Sequence, residues 1–453
     1  MRSRSGHRAR YQDGDPRWRH DREILRLALP AFAALVAEPL FLLADSAIVG
    51  HLGTPQLAGL GVAGSLLATG VALCVFLAYA TTAAVARRVG AGDERAALAQ
   101  AIDGLWLAAL LGVLLGALAA LSAHPLVTAF GTSAAATPYA TTYLRVSALG
   151  VPPMLLVLAA TGALRGLQDT RTPMLVAGVG ALANIGLNLA LVYGAGLGVA
   201  GSALGTVLTQ AGMAVSLGAV VVRGARRYGV SGRPHLAGIR AAAVVGLPLL
   251  VRTLTLRVAL LVTTYVAAAT GTVAVAAHQV AFTVWTLLAL ALDAVAIAGQ
   301  AIVGRYLGAG DVAGARSSTR RMMQWGLAAG VVLGVGVLLV RSLVAPLFTG
   351  DPAVRSLLAD VLLVVALSQP VNGVVFTLDG VLIGAGDGRY LARAGVVTLV
   401  VFLPLAAAVR LADGGLVALW WAFTGFMLAR LASLLWRERA DRWLVTGAVV
   451  PRR

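Results

Sequence analysis

Asp45 lies inside an apolar run, with Phe41-Leu42-Leu43 before it and Ile48-Val49 after it, and Glu38 precedes it by seven residues. Seven residues are two helical turns, so both carboxyls fall on one face. A carboxylate taken out of water holds a proton more readily, which suits such a group to proton uptake and release. The competing reading is a helix-end acid that reaches outside water, since His51 follows six residues on. Asn184 and Asn188 sit one turn apart on one face, a pattern that fits either a polar cavity or hydrogen bonds between helices. Asp293 stands isolated in a later apolar run with Gln300 two turns on, and Arg252 and Arg257 fall in another. Arg257 is deep enough in its run to require a partner. Asp379 is near a span end, where solvation accounts for it, and His278 reads as a hydrogen-bonded structural residue.

Enzyme signatures are missing from the sequence. It holds no H-E-x-x-H zinc spacing, no G-x-S-x-G elbow and no phosphate-binding G-x-x-x-x-G-K loop. We therefore expect no enzyme, no metal site and no cofactor. Cys74, the single cysteine, has no partner for an intramolecular disulfide and reads as a small apolar residue.

The elements that position these residues follow from composition. Hydrophobic residues make up 59% of the 453 and charged residues 12%, with mean hydropathy +0.86. Soluble domains average about 45–50% apolar and about 25% charged. That much apolar surface needs a bilayer. A membrane-crossing helix takes about 20 residues, and runs broken at Gly, Pro and charge give twelve spans. They lie near 24–50, 57–85, 101–123, 139–165, 173–193 and 197–222, then 240–268, 274–303, 322–341, 356–384, 390–410 and 415–436.

The net charge of +17 comes from arginines alone, as the chain has no lysine. They do not form the wetted basic face of a nucleic-acid binder. They alternate instead: Arg87, Arg88 and Arg95, Arg165 and Arg171, Arg223 to Arg233, Arg305 to Arg321, and Arg389 and Arg393 occupy one set of gaps, while 51–56, 123–138, 193–197 and 269–273 hold none. The positive-inside rule then places both termini in the cytoplasm of a multi-pass inner (plasma) membrane protein. The arginine-rich start also carries Asp13, Asp15, Asp21 and Glu23 and has no cleavage site after its first apolar run, so it reads as a cytoplasmic tail, not a signal peptide.

Shifting the chain by 218 residues aligns Leu29-Pro30 with Leu247-Pro248, Gly90-Ala91-Gly92-Asp93 with Gly308-Ala309-Gly310-Asp311, and Pro152 with Pro370. Gly162, Gly166, Asp169 and Arg171 meet Gly380, Gly384, Asp387 and Arg389 at the same offset. The duplicated Gly-Ala-Gly-Asp reads as a helix stop and tight turn. Each half holds an even number of spans, so the halves share one orientation, as in parallel-repeat transporters. The fold class is thus all-α and polytopic, with two parallel six-helix bundles. We divide the chain into a tail (1–23), a first lobe (24–222), a linker (223–239), a second lobe (240–436) and a tail (437–453).

The stretch Glu38-Pro39-Leu40-Phe41-Leu42-Leu43-Ala44-Asp45-Ser46-Ala47-Ile48-Val49-Gly50-His51-Leu52-Gly53 resembles the multidrug and toxic compound extrusion (MATE) family, in particular its DinF-like branch. Ala277-His278-Gln279, the run Asp293 to Ile302, and Arg165-Gly166-Leu167-Gln168-Asp169-Thr170-Arg171-Thr172-Pro173 carry the same likeness over nearly the whole chain. The resemblance implies a cation-coupled antiporter that exports small organic compounds, drug-like cations or organic acids, in which Asp45 couples the cation and Asn184 lines the same cavity. Asn188 stands where the family often has aspartate, which favours protons over sodium. Two alternatives remain at this point: a sodium-coupled exporter, and a flippase of lipid-linked precursors that would use Arg252 and Arg257. We expect a monomer in the lipid bilayer, with no nucleic-acid partner.

Overall fold

The structure is a computed structural model describing residues 16–449. The first half runs α1 (Pro16–Gly50), α2 (Thr54–Leu73), α3 (Phe76–Gly90), α4 (Glu94–Leu121), α5 (Ala123–Ala129), α6 (Thr137–Ala148), α7 (Val151–Gly166), α8 (Arg171–Leu189) and α9 (Gly198–Arg227). A π-helical turn, Ala190–Gly194, continues α8. The second half has six long helices: α10 (Leu236–Thr270), α11 (Thr272–Gly308), α12 (Val312–Phe348), α13 (Pro352–Gly384), α14 (Gly388–Leu411) and α15 (Gly415–Arg439). Among the described residues eleven helical stretches are long and apolar enough to cross a membrane, or twelve if α6 and α7 form one span bent by 49°. The bend has a local cause. Pro152 and Pro153 lie in the first turn of α7, and two adjacent residues without N–H groups deny the carbonyls four residues earlier their helical donors. The single Pro370 at the equivalent place is absorbed within α13.

The repeat is physical as well as textual. A Cβ on Gly162 would stand 2.4 Å from the Ala78 carbonyl oxygen, and one on Gly380 would stand 2.2 Å from that of Ala296. Those four residues form two pairs at the 218 offset. Close backbone approach through small residues is how helices associate where lipid removes the hydrophobic drive. The duplicated turn also forms as expected: Gly92 and Gly310 both have φ 76, and Asp93 and Asp311 accept from the N–H of Ala96 and Gly314 at 2.8 and 2.7 Å. Leu114, Val332, Leu339 and Val397 are exposed, an outward apolar surface suited to acyl chains.

The lobe boundaries shift slightly from those read in the sequence. Helix α1 already includes part of the expected tail, where Asp21 receives Arg321 at 2.6 Å and Glu23 pairs with Arg305. Residues 1–15 lie outside the described region. The linker is shorter, running between α9 and α10, and Trp106 Nε1 donates to the Gly232 carbonyl at 3.0 Å. After α15 the chain folds back, burying Trp443, so the second expected tail is in part a packed strap. Contacts between halves are carried by α3 with α11, α10 and α13, by α1 with α11 and α12, and by α10 with α4. These elements meet at the end that carries both termini.

Candidate functional site

Asp45 is 1% exposed and sits where α1, α6, α8 and α9 converge, toward the end opposite the termini. Its Oδ1 accepts from Asn188 Nδ2 at 2.9 Å and from the Ser202 hydroxyl, while Oδ2 accepts from Tyr143 at 3.0 Å. Behind this shell Asn188 Nδ2 also donates to Asn184 Oδ1 at 3.1 Å, and Asn184 donates to Thr206 at 3.4 Å. Asn184, Asn188 and Ser202 are fully buried. Asn188 Oδ1 has no protein partner. The reading of Asp45 as a solvated helix-end acid is therefore excluded by its surroundings, and Asn184 and Asn188 join it in one polar cup.

Two hydroxyls give this cup an ability that amides alone lack. When Asp45 is ionised, Tyr143, Ser202 and Asn188 all donate to it. When it is protonated, it must donate once, and either hydroxyl can reverse to accept. Asn188 Oδ1 offers a further acceptor if the amide turns.

Glu38 does not enter the cup. It is exposed, and among the described residues no hydrogen bond links it to Asp45. Sequence spacing placed both acids on one helix face, but only α6, α8 and α9 decide which of them is surrounded by donors. Tyr143 and Ser202 went unnoticed because single hydroxyls in apolar helices are common.

The second-half candidates divide. Arg252 and Asp293 belong to a group that also contains Asp379, Arg430, Arg165 and Tyr79, of which Asp379, Arg430 and Arg165 are buried and the others half-buried. Arg252 Nη2 donates to Asp379 Oδ2 at 2.8 Å, Arg430 pairs with the same oxygen, and the Arg252 guanidinium lies 5.8 Å from the Tyr79 ring centroid. Tyr79 and Arg165 of the first half act electrostatically on Asp293 of the second. Asp293 is thus not isolated. The solvated reading of Asp379 is corrected: it is 4% exposed, because α10 and α15 each bring an arginine onto α13. Arg257 is corrected too. It is exposed, with no ion pair among the described residues. Gln300 is buried at the α11–α13 crossing, where its backbone meets Gly384, apart from Asp293. His278 Nε2 lies 3.1 Å from the Thr264 hydroxyl, as a structural histidine should.

The MatE family model matches the chain twice, at residues 30–190 and 248–408. Protein DETOXIFICATION 44, chloroplastic, of Arabidopsis thaliana is 32% identical over 93% of this chain and 83% of its own length. DNA damage-inducible protein F of Escherichia coli is 31% identical over 92% of each chain. Among solved structures, one described as the outward-facing conformation of a multidrug resistance MATE family transporter of the MOP superfamily superposes with a TM-score of 0.85, at 24% identity, covering 95% of this chain and 97% of that one.

Proposed function

The chain belongs to the MatE family of multi-pass membrane efflux transporters, and on that premise we propose that it exports a small organic substrate in exchange for protons carried by Asp45. The observation that carries the coupling role is the cup itself. Asp45 is the one carboxylate in it, held by three donors of which two are reversible hydroxyls. A dehydrated sodium ion needs several oxygen ligands and enough negative charge to offset lost hydration. One carboxylate beside Asn188 supplies less charge than such a cage requires, whereas one proton requires only Asp45.

Transport follows from the paired lobes. They are joined at the terminal end, which the arginine pattern assigns to the cytoplasm, and on this reading a cleft between them opens on the other side. Protonation neutralises Asp45 and loosens the charge-assisted bonds that tie α1 to α6, α8 and α9. Rocking of the lobes about their shared axis would then expose the cleft to the cytoplasm for reloading. The cup and cleft lie within a single chain, which supports a monomer as the working unit. The flippase alternative relied on Arg252 and Arg257, and Arg252 is held by Asp379.

Proteoliposome transport under separately imposed proton and sodium gradients, with a panel of cationic and anionic substrates, tests this function. Efflux that follows the proton gradient is expected. Transport indifferent to it would remove Asp45 from the coupling role.

A further inference from the structure

Arg87 of α3 and Arg305 of α11 are partners at the 218-residue offset, and each reaches across the seam between the lobes. Arg87 belongs to the first lobe. It donates from Nε, Nη1 and Nη2 to the second-lobe carbonyls of Gly447, Ala385 and Val445. Arg305 belongs to the second lobe and pairs with Glu23 in the first turns of α1. The lobes thus exchange one arginine each, but the groups that receive them differ. Glu23 corresponds to Ala241 at the same offset, so this acid lies outside the repeat.

Each receiving segment has a firm base. Residues 440–447, after α15, are held by the second lobe. Gly447 N–H donates to the Leu307 carbonyl of α11 at 3.0 Å, and Asp441 pairs with Arg316 of α12 at 2.7 Å. Trp443 is 1% exposed and donates from Nε1 to the Glu438 carbonyl of α15 at 2.9 Å. On the other side, α1 makes a second crossing contact beside Glu23. Asp21 receives Nε and Nη2 of Arg321 at 2.6 and 2.7 Å, and Trp325 Nε1 at 2.7 Å, all from α12.

The crossing contacts are hydrogen bonds and ion pairs, and water reaches several of them. The side chains of Arg305 and Arg321 are 32% and 31% exposed. Such bonds exchange for bonds to water when two bodies part, so they hold without being permanent. Polar interfaces within one chain are the kind across which bodies move.

We propose that residues 440–447 and the first turns of α1 are two latches that hold the lobes together at this end, and that both release when it opens. Latching deepens the functional reading above and rests on it, because it requires lobes that rock. It does not depend on which ion drives them. The latches differ in chemistry: salt screens the pairs of Asp21 and Glu23, whereas Arg87 is held by neutral carbonyls.

The test uses the full chain with Cys74→Ala, reconstituted in proteoliposomes. Spin labels on Arg95→Cys and Ala313→Cys report the separation of the lobes at this end. Removing the residues after Arg442 should add a longer distance, and so should Asp21→Asn combined with Glu23→Gln. With both latches removed, the longer distance should dominate. A second arm serves if the shortened chain does not fold. Ala91→Cys and Thr446→Cys, both at exposed positions, are joined by a short bis-maleimide, and mass spectrometry verifies the bridge. Efflux should be lost in the bridged chain. Full efflux with the bridge in place would overturn the latches and leave rocking intact. So would an unchanged short distance in latch variants that still transport. Failure of the rocking itself has another signature, a single distance in the wild-type chain during turnover, and it would overturn the latches as well.

Discussion

Gly90 and Gly308 clasp each other's helices where the two lobes meet. A Cβ on Gly90 would stand 2.0 Å from the Arg305 carbonyl oxygen, and one on Gly308 would stand 2.0 Å from that of Arg87. Both glycines and both arginines are related by the 218-residue repeat, so α3 and α11 cross on the pseudo-twofold axis. The Arg87 side chain then spans the joint. It donates to the carbonyls of Ala385, Val445 and Gly447 at 3.1, 2.5 and 3.2 Å, while Gly447 N–H donates to Leu307 at 3.0 Å.

This crossing predicts how closure can be broken. Gly90→Ala forces overpacking, which costs about 1–3 kcal/mol, a range worth about 5–150-fold in a two-state equilibrium. Spin labels on Arg95→Cys and Ala313→Cys, exposed partners at the repeat offset, should move apart in Gly90→Ala and in Arg87→Ala. Unchanged distances in both variants would show that the crossing does not hold the lobes together.

Asp45→Asn should abolish gradient-driven efflux while folding and insertion persist, because the amide keeps the shape and loses the titrating site. Tyr143→Phe and Ser202→Ala should each slow transport and keep its dependence on the proton gradient. A hydrogen bond to a charged group contributes about 1.5–3 kcal/mol, so a loss of about tenfold or more is expected. Glu38→Gln should do less, since its carboxyl stands outside the cup. Wild-type efflux by Asp45→Asn would shift attention to Asp293.

Sodium should not substitute for protons. With the proton gradient collapsed by an ionophore, an imposed sodium gradient is expected to drive no efflux. Asn188→Asp places a second carboxylate against Asp45 Oδ1, which Asn188 now reaches at 2.9 Å. That variant should gain sodium sensitivity through added ligand charge. Robust sodium-driven efflux by the wild-type chain contradicts the argument from Asn188.

Orientation can be read by labelling in a Cys74→Ala background. Cysteines replacing Phe130 and Ala195 should react from outside the cell, and those replacing Glu94 and Ser231 only after permeabilisation. The reverse pattern would invert the topology inferred from the arginines.

The sequence by itself determined the spans, the repeat and the central acid. Long apolar runs have one stable solution in lipid, a helix with all backbone groups bonded within it, and an aspartate in such a run is conspicuous. Repeated glycines likewise survive in the text because close backbone contacts tolerate nothing larger. The partners of those residues were decided only by tertiary structure. At the repeat offset, Asp45, Asn184, Asn188 and Ser202 correspond to Thr263, Phe402, Ala406 and Trp420, so one backbone plan holds a polar cup in one half and an apolar core in the other. Asp379 looked solvated near its helix end, and Arg257 looked buried. The packing of α10 and α15 against α13 reversed the first, and the exposed face of α10 that carries Arg257 reversed the second. Depth along a helix can be counted in residues, but the direction a side chain faces depends on which distant helix lies beside it.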